Sequence, residues 1–409
     1  MNQFKIIFIS LFIIFVALTT TTYSGEKNST RVQGLFYLDG EPISVVIEDG
    51  RISQIIRNKK ATSSDVYIAP GLIDVQLNGY AGVSFTQAGL TLEEVRQATR
   101  ALWKEGVTTY LPTIISASHQ RIKENMAVLS DAHEDDEIGV SIPGFFLEGP
   151  YISPIDGFRG AHSKEWVRQP DWDEFMEYYE ASGGNILQVT LAPEMENAME
   201  FIRKCTARGI LVGLGHHNGS AEIIKQAVDA GARISTHLGN GCANTIHRHH
   251  NPLWAQLADD RLNATIIVDG HHLTQDEVQV FYKAKGPDRI LLVSDVTKLA
   301  GMAPGEYNWD GKRVVMTPDG MLKYPEQDVL AGASLPIRIG VGNLMKYTHC
   351  PLSEAIHAAS RSQARVFGFS DRGEILPGKR ADLILFTIEN NTLHIIQTIV
   401  AGVTVFQQD

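Results

Sequence analysis

Apolar runs of strand length alternate with helical patterns along the middle of the chain. The helical patterns include residues 91–106, 195–209 and 220–232, and each has a glycine at or next to its end, which is typical of a helix C-cap. Eight strand–helix units of this kind predict an α/β fold, a (β/α)₈ TIM-like barrel with almost continuously hydrophobic strands. The predicted strands are residues 67–76, 108–114, 142–148, 186–193, 210–216, 233–238, 264–270 and 289–295.

The two ends of the chain have a different, short-strand character. Asp49 and Gly50 form a hairpin-turn signal between two apolar runs, and residues 378–406 repeat the same alternation. We therefore predict a small β-sandwich domain built from both ends of the chain. Residues 307–324 look like a β-hairpin inserted after the eighth strand. The predicted divisions are 31–68 plus 373–409 for the β domain and 69–372 for the barrel.

The first residues resemble a targeting segment more than a part of the fold. Ile6 to Leu18 is a dense apolar run that is short for a membrane span, and small polar residues follow as far as Ser24. We interpret residues 1–24 as a secretory signal peptide, with an uncleaved membrane anchor as the alternative. Export, for example to a periplasm, is therefore expected.

The overall charge excludes some classes of function. The chain has 409 residues and a formal net charge of −11, and it has no lysine- or arginine-rich run. An acidic chain of this kind is a poor candidate for binding nucleic acid or an anionic membrane.

Its three cysteines, Cys205, Cys242 and Cys350, are too few and too far apart to predict a disulfide framework or a CxxC metal site.

Polar residues follow the ends of several predicted strands, where barrels of this class carry their chemistry. Glu148, His216 and His237 follow the third, fifth and sixth strands, and Asp295 follows the eighth. One glutamate and two histidines form a known ligand set for one catalytic divalent ion with an open position for water. Zinc suits these ligands best, and iron or cobalt would also fit. Asp295 is then the candidate general base and acid.

Each of these residues, taken alone, could have a purely structural role. A histidine at a strand end is usually a hydrogen-bonded structural group, and a lone glutamate is usually solvated. We interpret His217 and His271 either in this way, as structural groups beside better candidates, or as groups that support the site from behind. Gln76 and Asn78, at the end of the first strand, could support the site from behind or simply cap a loop. The argument for a site therefore depends on several strand ends together.

Six motifs in order carry a family resemblance: "PGLIDVQLNGYAGVSF", "LEGPYISP", "GLGHHNGSAE", "STHLGNG", "DGHH" and "LVSDV". Together they resemble the N-acetylglucosamine-6-phosphate deacetylases of the amidohydrolase superfamily, over nearly all of the predicted mature chain. The resemblance implies a hydrolase that removes the acetyl group from N-acetylglucosamine 6-phosphate or a related amino sugar. Many members of the superfamily have two histidines where this chain has Gln76 and Asn78, which suggests a single metal ion.

The same resemblance assigns roles to individual residues. It matches Glu148, His216 and His237 to the metal ligands, Asp295 to the general base and acid, and His272 to the histidine that polarises the acetyl carbonyl. The substrate contacts that it implies are Ala161, His162, Asn240, Gly241, Arg248, Asp269, Leu330, Ala331 and Gly332.

Arg248 matches the family's phosphate-binding arginine, which can come from a neighbouring subunit, so a homodimer is expected. The continuation "HHNPLW" after Arg248 differs from the family's usual "EPG". The family acts on cytoplasmic sugar phosphates, so a cytoplasmic location is the alternative to export. An exported enzyme would meet N-acetylated sugars without a phosphate.

Two other functions stay open at this point. The first is another amidohydrolase reaction, such as cyclic-amide hydrolysis or the deacylation of N-acyl amino acids, for which a site with two metal ions is usual. The second is an exported sugar-binding protein without catalytic activity. Metal stoichiometry separates the first from a deacetylase, and binding without turnover would indicate the second.

Overall fold

The computed structural model describes residues 29–58, 65–309, 311–326 and 329–408. The predicted signal peptide, residues 1–24, lies outside the described residues. Within them, every helix is too short or too polar to cross a membrane. The described residues confirm the predicted fold class, a parallel barrel with a separate sheet from the two ends of the chain.

Eight parallel strands form the barrel, in the same order in space as along the chain. Most of their side chains are buried, because helices cover the outside and the side chains of the strands fill the inside. The carboxyl ends of all eight strands therefore meet at one rim. The strands are β5 (Leu72–Leu77), β8 (Val107–Ile115), β9 (Phe145–Glu148), β10 (Ile186–Leu191), β11 (Leu211–Leu214), β12 (Ile234–Ser235), β13 (Asn263–Ile266) and β14 (Ile290–Leu292).

The strands from the two ends of the chain form one seven-stranded sheet in the order β21-β20-β19-β4-β1-β2-β3. The antiparallel pair of β4 and β19 joins the N-terminal strands to the C-terminal ones. The strands are β1 (Ser29–Phe36), β2 (Pro42–Glu48), β3 (Arg51–Arg57), β4 (Tyr67–Pro70), β19 (Leu383–Glu389), β20 (Thr392–Val400) and β21 (Val403–Gln407).

The predicted hairpin after the eighth barrel strand is part of a larger insertion, an antiparallel sheet of four strands. It has its own small apolar cluster, which includes Leu299, Val314 and Leu322. Its strands are β15 (Gly305–Trp309), β16 (Lys312–Met316), β17 (Leu322–Tyr324) and β18 (Val329–Leu330), and a separate short pair is β6 (Gly79–Tyr80) with β7 (Val83–Ser84).

The three helical stretches predicted above each contain one observed helix: α1 (Leu92–Lys104), α4 (Ala198–Ala207) and α5 (Ala221–Ala230). Thr91 and Glu94 form a capping box at the start of α1, and Ser220 caps α5. Gly231, with φ of 128°, ends α5, as the C-cap signal predicted. The helices are α1 (Leu92–Lys104), α2 (His119–His133), α3 (Trp172–Ala181), α4 (Ala198–Ala207), α5 (Ala221–Ala230), α6 (Pro252–Ala258), α7 (Gln275–Lys285), α8 (Ile337–Thr348), α9 (Leu352–Ala358) and α10 (Arg361–Phe367), with short 3₁₀ turns at Gly139–Ser141 and Lys164–Trp166.

The first and last barrel strands meet through a few contacts just beyond the ladder. The backbone N–H of Asp295 donates to the Gln76 carbonyl at 2.9 Å, and that of Asn78 donates to the Val296 carbonyl at 2.9 Å. One residue before Asp295, the Ser294 N–H donates to a side chain, the Asp74 carboxylate, at 3.2 Å. This seam therefore fixes two of the predicted site segments against each other.

A buried ion pair joins the terminal sheet to the bottom of the barrel. The Arg380 guanidinium donates to Asp382, whose carboxylate also accepts from the Ala401 N–H at 2.9 Å. A second guanidinium nitrogen of Arg380 donates to the Val140 carbonyl at 2.8 Å, so it also reaches the barrel side. The two side chains are only 11% and 2% exposed, so each charge depends on the other.

We predict that Asp382→Ala lowers the free energy of unfolding by about 3–5 kcal/mol, because it leaves the buried Arg380 charge without a partner. Chemical denaturation measures this loss. The matched control is Asp39→Ala, which removes the partner of Arg57 in a pair whose side chains are 54% and 38% exposed. We expect this change to cost at most about 1 kcal/mol. Equal losses in the two variants would contradict the prediction.

Candidate active site

The four central side chains come from four separate strand ends; Glu148, His216 and His237 are buried, and Asp295 is half-buried. Glu148 is the last residue of β9, while His216 and His237 each lie two residues beyond β11 and β12. His216, His237 and Asp295 all have positive φ, at 50°, 32° and 52°. Non-glycine residues rarely adopt this conformation, and such strain concentrates at functional sites.

The three predicted metal ligands converge on one point. The Glu148 Oε1 atom lies 2.8 Å from His237 Nε2 and 3.4 Å from His216 Nε2. The two imidazole nitrogens lie 3.0 Å apart. The structure therefore brings together the glutamate and both histidines that the sequence predicted, with their donor atoms facing one another.

The amides at the end of the first strand belong to the same cluster. Gln76 donates from Nε2 to Glu148 Oε1 at 2.9 Å and to Asp295 Oδ1 at 3.3 Å. Asn78 donates from Nδ2 to Asp295 Oδ1 at 2.6 Å. These two side chains therefore orient the Glu148 and Asp295 carboxylates and do more than cap a loop.

The cluster carries strongly perturbed pKa values. Burial alone would raise the pKa of Glu148, but hydrogen bonds from His216 and His237 outweigh it and hold that pKa well below its ordinary value. Burial lowers the pKa of His216. For His237, burial also acts downward, but the Glu148 carboxylate outweighs it and raises the pKa above 6.5. Without an ion, the site therefore pairs a buried carboxylate with a readily protonated imidazole.

Asp295 has the electrostatics of a proton acceptor and donor near neutral pH. Burial and the neighbouring Glu148 charge raise its pKa to about 7, against the opposing effects of His237 and the Asn78 hydrogen bond. A general acid or base works best when its pKa lies near the operating pH. The environment of Asp295 therefore suits the role that the sequence predicted.

Asp269 and His272 form a second pair beside the cluster. Asp269 Oδ2 accepts from His272 Nδ1 at 2.7 Å, and its other oxygen accepts the backbone N–H groups of His271 and His272. Burial would raise the pKa of Asp269, but the contact with His272 brings it down to about 2. Since Nδ1 is engaged, Nε2 is the ring nitrogen of His272 that is left for a substrate.

His162 lies beside two of the predicted metal ligands. Its ligand atom and those of Glu148 and His216 all lie within 4.8 Å of one another. Its Nδ1 is hydrogen bonded to the Ser116 hydroxyl at 2.9 Å. Burial, followed by the effect of His216, lowers the pKa of His162 to about 3, so the ring is neutral.

The other predicted substrate residues differ in their exposure and in their contacts with this cluster. Gly241, at φ 59°, packs so closely on His216 that a Cβ would lie 2.8 Å from Nδ1. Gly332 packs against Thr297 in the loop after Asp295. Arg248 is exposed, and its carbonyl accepts from Trp254 Nε1 at 3.0 Å. Ala161 is exposed, Asn240 and Leu330 are half-buried, and Ala331 is buried.

His217 and His271 have structural partners, in line with the sequence interpretation. His217 is buried, and its Nδ1 accepts from the Gly219 N–H at 3.1 Å. His271 contacts the Asp319 carbonyl of the four-stranded insertion through Nε2 at 3.0 Å. Sequence reasoning missed Ser116, which directly follows β8 and could have been found by its place at a strand end.

The donor set fits a single divalent ion. It offers one carboxylate and two imidazoles, the ligands that zinc and similar ions take in catalytic sites. The His216 ring is also oriented as metal-binding imidazoles usually are, because its Nδ1 contacts the Phe158 carbonyl at 3.1 Å and leaves Nε2 facing Glu148.

Comparison with known proteins agrees with the fold. The amidohydrolase family profile matches residues 67–405. The N-acetylglucosamine-6-phosphate deacetylase of Bacillus subtilis is 30% identical over 370 residues, which cover 88% of this chain and 91% of that protein. An N-acetylgalactosamine-6-phosphate deacetylase of Escherichia coli O157:H7 is 30% identical over 336 residues, 82% of this chain and 86% of that protein.

A solved structure extends the match to three dimensions. The N-acetylglucosamine-6-phosphate deacetylase of Thermotoga maritima superposes with a TM-score of 0.82 at 29% identity, covering 93% of this chain and 100% of that one. The chain therefore belongs to the amidohydrolase family and, within it, to the N-acetylglucosamine-6-phosphate deacetylase family. The resemblance that six sequence motifs indicated is confirmed.

We predict that metal uptake at pH 6.5–7 releases protons from the site. The raised pKa values of His237 and Asp295 favour a proton on either group when no ion is bound. A metal ligand must be deprotonated, and the positive charge of an ion also disfavours a proton on the neighbouring Asp295. Apparent metal affinity should therefore rise with pH through this range. Calorimetry in two buffers of different ionisation enthalpy measures the release.

The matched control for this release is Asp295→Asn. It removes one titrating group and one of the charges that raise the pKa of His237. We therefore expect this variant to release fewer protons than the wild type. Equal release, or metal affinity that does not depend on pH, would show that these groups are not protonated as described.

Proposed function

We propose that the protein is a metal-dependent hydrolase that removes the acetyl group from N-acetylglucosamine 6-phosphate, giving acetate and the amino sugar. The observation that carries this proposal is the convergence of Glu148, His216 and His237 with Asp295 at one rim of the barrel. The names of the relatives support the substrate class. One relative is named for the galactosamine isomer, so the sugar itself needs a direct test.

We propose that Glu148, His216 and His237 hold one divalent ion, with zinc favoured by the ligand set. When bound, such an ion polarises the amide carbonyl and lowers the pKa of a water molecule. Gln76 and Asn78 favour one ion over two, because their amide N–H groups donate to the carboxylates of Glu148 and Asp295. This arrangement disfavours the amidohydrolase reactions that usually use two ions.

In the proposed mechanism, Asp295 accepts a proton from the attacking water as the new C–O bond forms at the acetyl carbon. The Asn78 and Gln76 amides orient its carboxylate. As the C–N bond breaks, Asp295 returns that proton to the departing nitrogen. His272, held at Nδ1 by Asp269, supports the carbonyl oxygen through Nε2. The products are acetate, the free amine and one proton.

We propose that Arg248 recognises the phosphate, with the neighbouring imidazoles of the same loop beside it. Its guanidinium is exposed, so it could also reach a phosphate in a second subunit of a homodimer. Ala161, Asn240, Gly241 and the segment 330–332 are proposed to contact the sugar. Residues 1–24 remain a predicted export signal, and sequencing the N-terminus of the mature protein would test it.

We predict that Asp295→Asn lowers kcat by about 10²–10⁴-fold, the usual contribution of a general acid and base. Metal content should stay near one ion per chain, because Asp295 is not among the proposed ligands. Acetate release and metal analysis of the same sample measure both. Asp276→Asn, on the exposed face of α7, is the control and should leave both values unchanged. Substantial activity in Asp295→Asn would contradict its proposed role.

We predict that Arg248→Ala lowers kcat/KM for N-acetylglucosamine 6-phosphate by about 10–100-fold, because a hydrogen bond to a charged group contributes about 1.5–3 kcal/mol. The unphosphorylated sugar is the internal control and should be turned over at an unchanged rate. The galactosamine isomer, assayed alongside, tests sugar selectivity. A wild type that hydrolyses the plain sugar equally well would contradict phosphate recognition.

A further inference from the structure

We propose that His162 is a fourth protein ligand of the ion, and thus more than a substrate contact. This inference rests on the proposed metal centre and adds a residue from a different segment, the loop between β9 and α3. Four observations carry it: the position of the ring, its orientation, its packing and the way its loop is fixed.

The position of His162 relative to His216 resembles that of the proposed ligand His237. The ligand atoms of His162, Glu148 and His216 lie within 4.8 Å of one another, a spacing that one ion can bridge. The His162 and His216 rings meet edge to face with centroids 4.5 Å apart. The His216 and His237 rings meet in the same way at 4.6 Å. His216 therefore stands between two similarly placed imidazoles.

The orientation of the ring is also that of a metal ligand. His162 Nδ1 is bound to the Ser116 hydroxyl, just as His216 Nδ1 is bound to the Phe158 carbonyl. In metal-binding histidines, the nitrogen that does not bind the ion usually makes a hydrogen bond, which fixes the ring. For His162 this nitrogen is Nδ1, so Nε2 is the nitrogen that would bind the ion. Ser116 directly follows β8, so a rigid strand end holds the anchor.

The loop that carries His162 is docked onto the metal centre. Its Phe158 carbonyl contacts His216, and a Cβ on Gly160 would lie 2.8 Å from His216 Cε1. Arg159 donates to the His162 carbonyl at 2.5 Å. His162 itself is only 7% exposed. These contacts hold the His162 side chain against His216.

Four protein ligands still leave room for the reaction. Catalytic zinc sites can expand to five-coordinate. If Glu148, His162, His216 and His237 all held the ion, a five-coordinate ion would keep one position for water. His162 would therefore increase the affinity for the ion and still leave a position for water.

The test is the metal affinity of His162→Ala and of the larger, polar His162→Gln, measured by competition with a chromophoric chelator. We expect both to weaken binding by about 100-fold or more, because losing an outer-shell partner alone costs about 10–100-fold. Ser116→Ala should weaken it less, by about 10-fold. His394→Ala, on an exposed position of the terminal sheet, is the control and should bind as the wild type does.

A spectroscopic readout separates ligation from substrate contact. X-ray absorption of the zinc-loaded protein should count three imidazoles in the wild type and two in His162→Gln. Unchanged affinity and an unchanged count, with only KM raised, would overturn the proposal while leaving the metal centre intact. If the wild type itself bound no ion, the proposed function would fail first. Melting curves of the ion-free variants check that each is folded.

Discussion

The buried carboxylate of Glu148 is the constraint on which the rest of the site depends. An isolated charge in such a place would be very costly, so it must be compensated. Two imidazoles and the Gln76 amide surround its Oε1 atom within 3.4 Å. The same charge raises the pKa of Asp295. One buried negative charge therefore sets the protonation of its neighbours and prepares the place for a cation.

The scaffold supplies this compensation through backbone geometry at the barrel rim. Left-handed φ values at His216, His237 and Asp295 turn these residues at the points where their strands end. Gly160 and Gly241 let two loops press against His216 where any side chain would collide. The positive φ values of the three residues cost conformational free energy. The packing of the barrel strands stabilises the chain enough to offset this local cost. The backbone at the barrel rim thus sets the arrangement of these side chains.

The sequence predicted the fold because strand and helix periodicities alternate clearly, and glycines mark the helix ends. It predicted Glu148, His216, His237 and Asp295 because parallel strands bring their carboxyl ends to one rim. It could not predict that His162 lies beside the ligands, because the path of a loop depends on tertiary packing. Nor could it predict that the Gln76 and Asn78 amides clamp two carboxylates. Side-chain hydrogen bonds across strands leave no periodic signal.

The central claim is that one ion at this carboxylate makes the protein a deacetylase. The most direct measurement is acetate release from N-acetylglucosamine 6-phosphate by chelator-treated protein as zinc is added back in known amounts. The account predicts that activity is lost with the ion and returns in full at one equivalent per chain. Activity that survives complete metal removal, or that requires two equivalents, would contradict it.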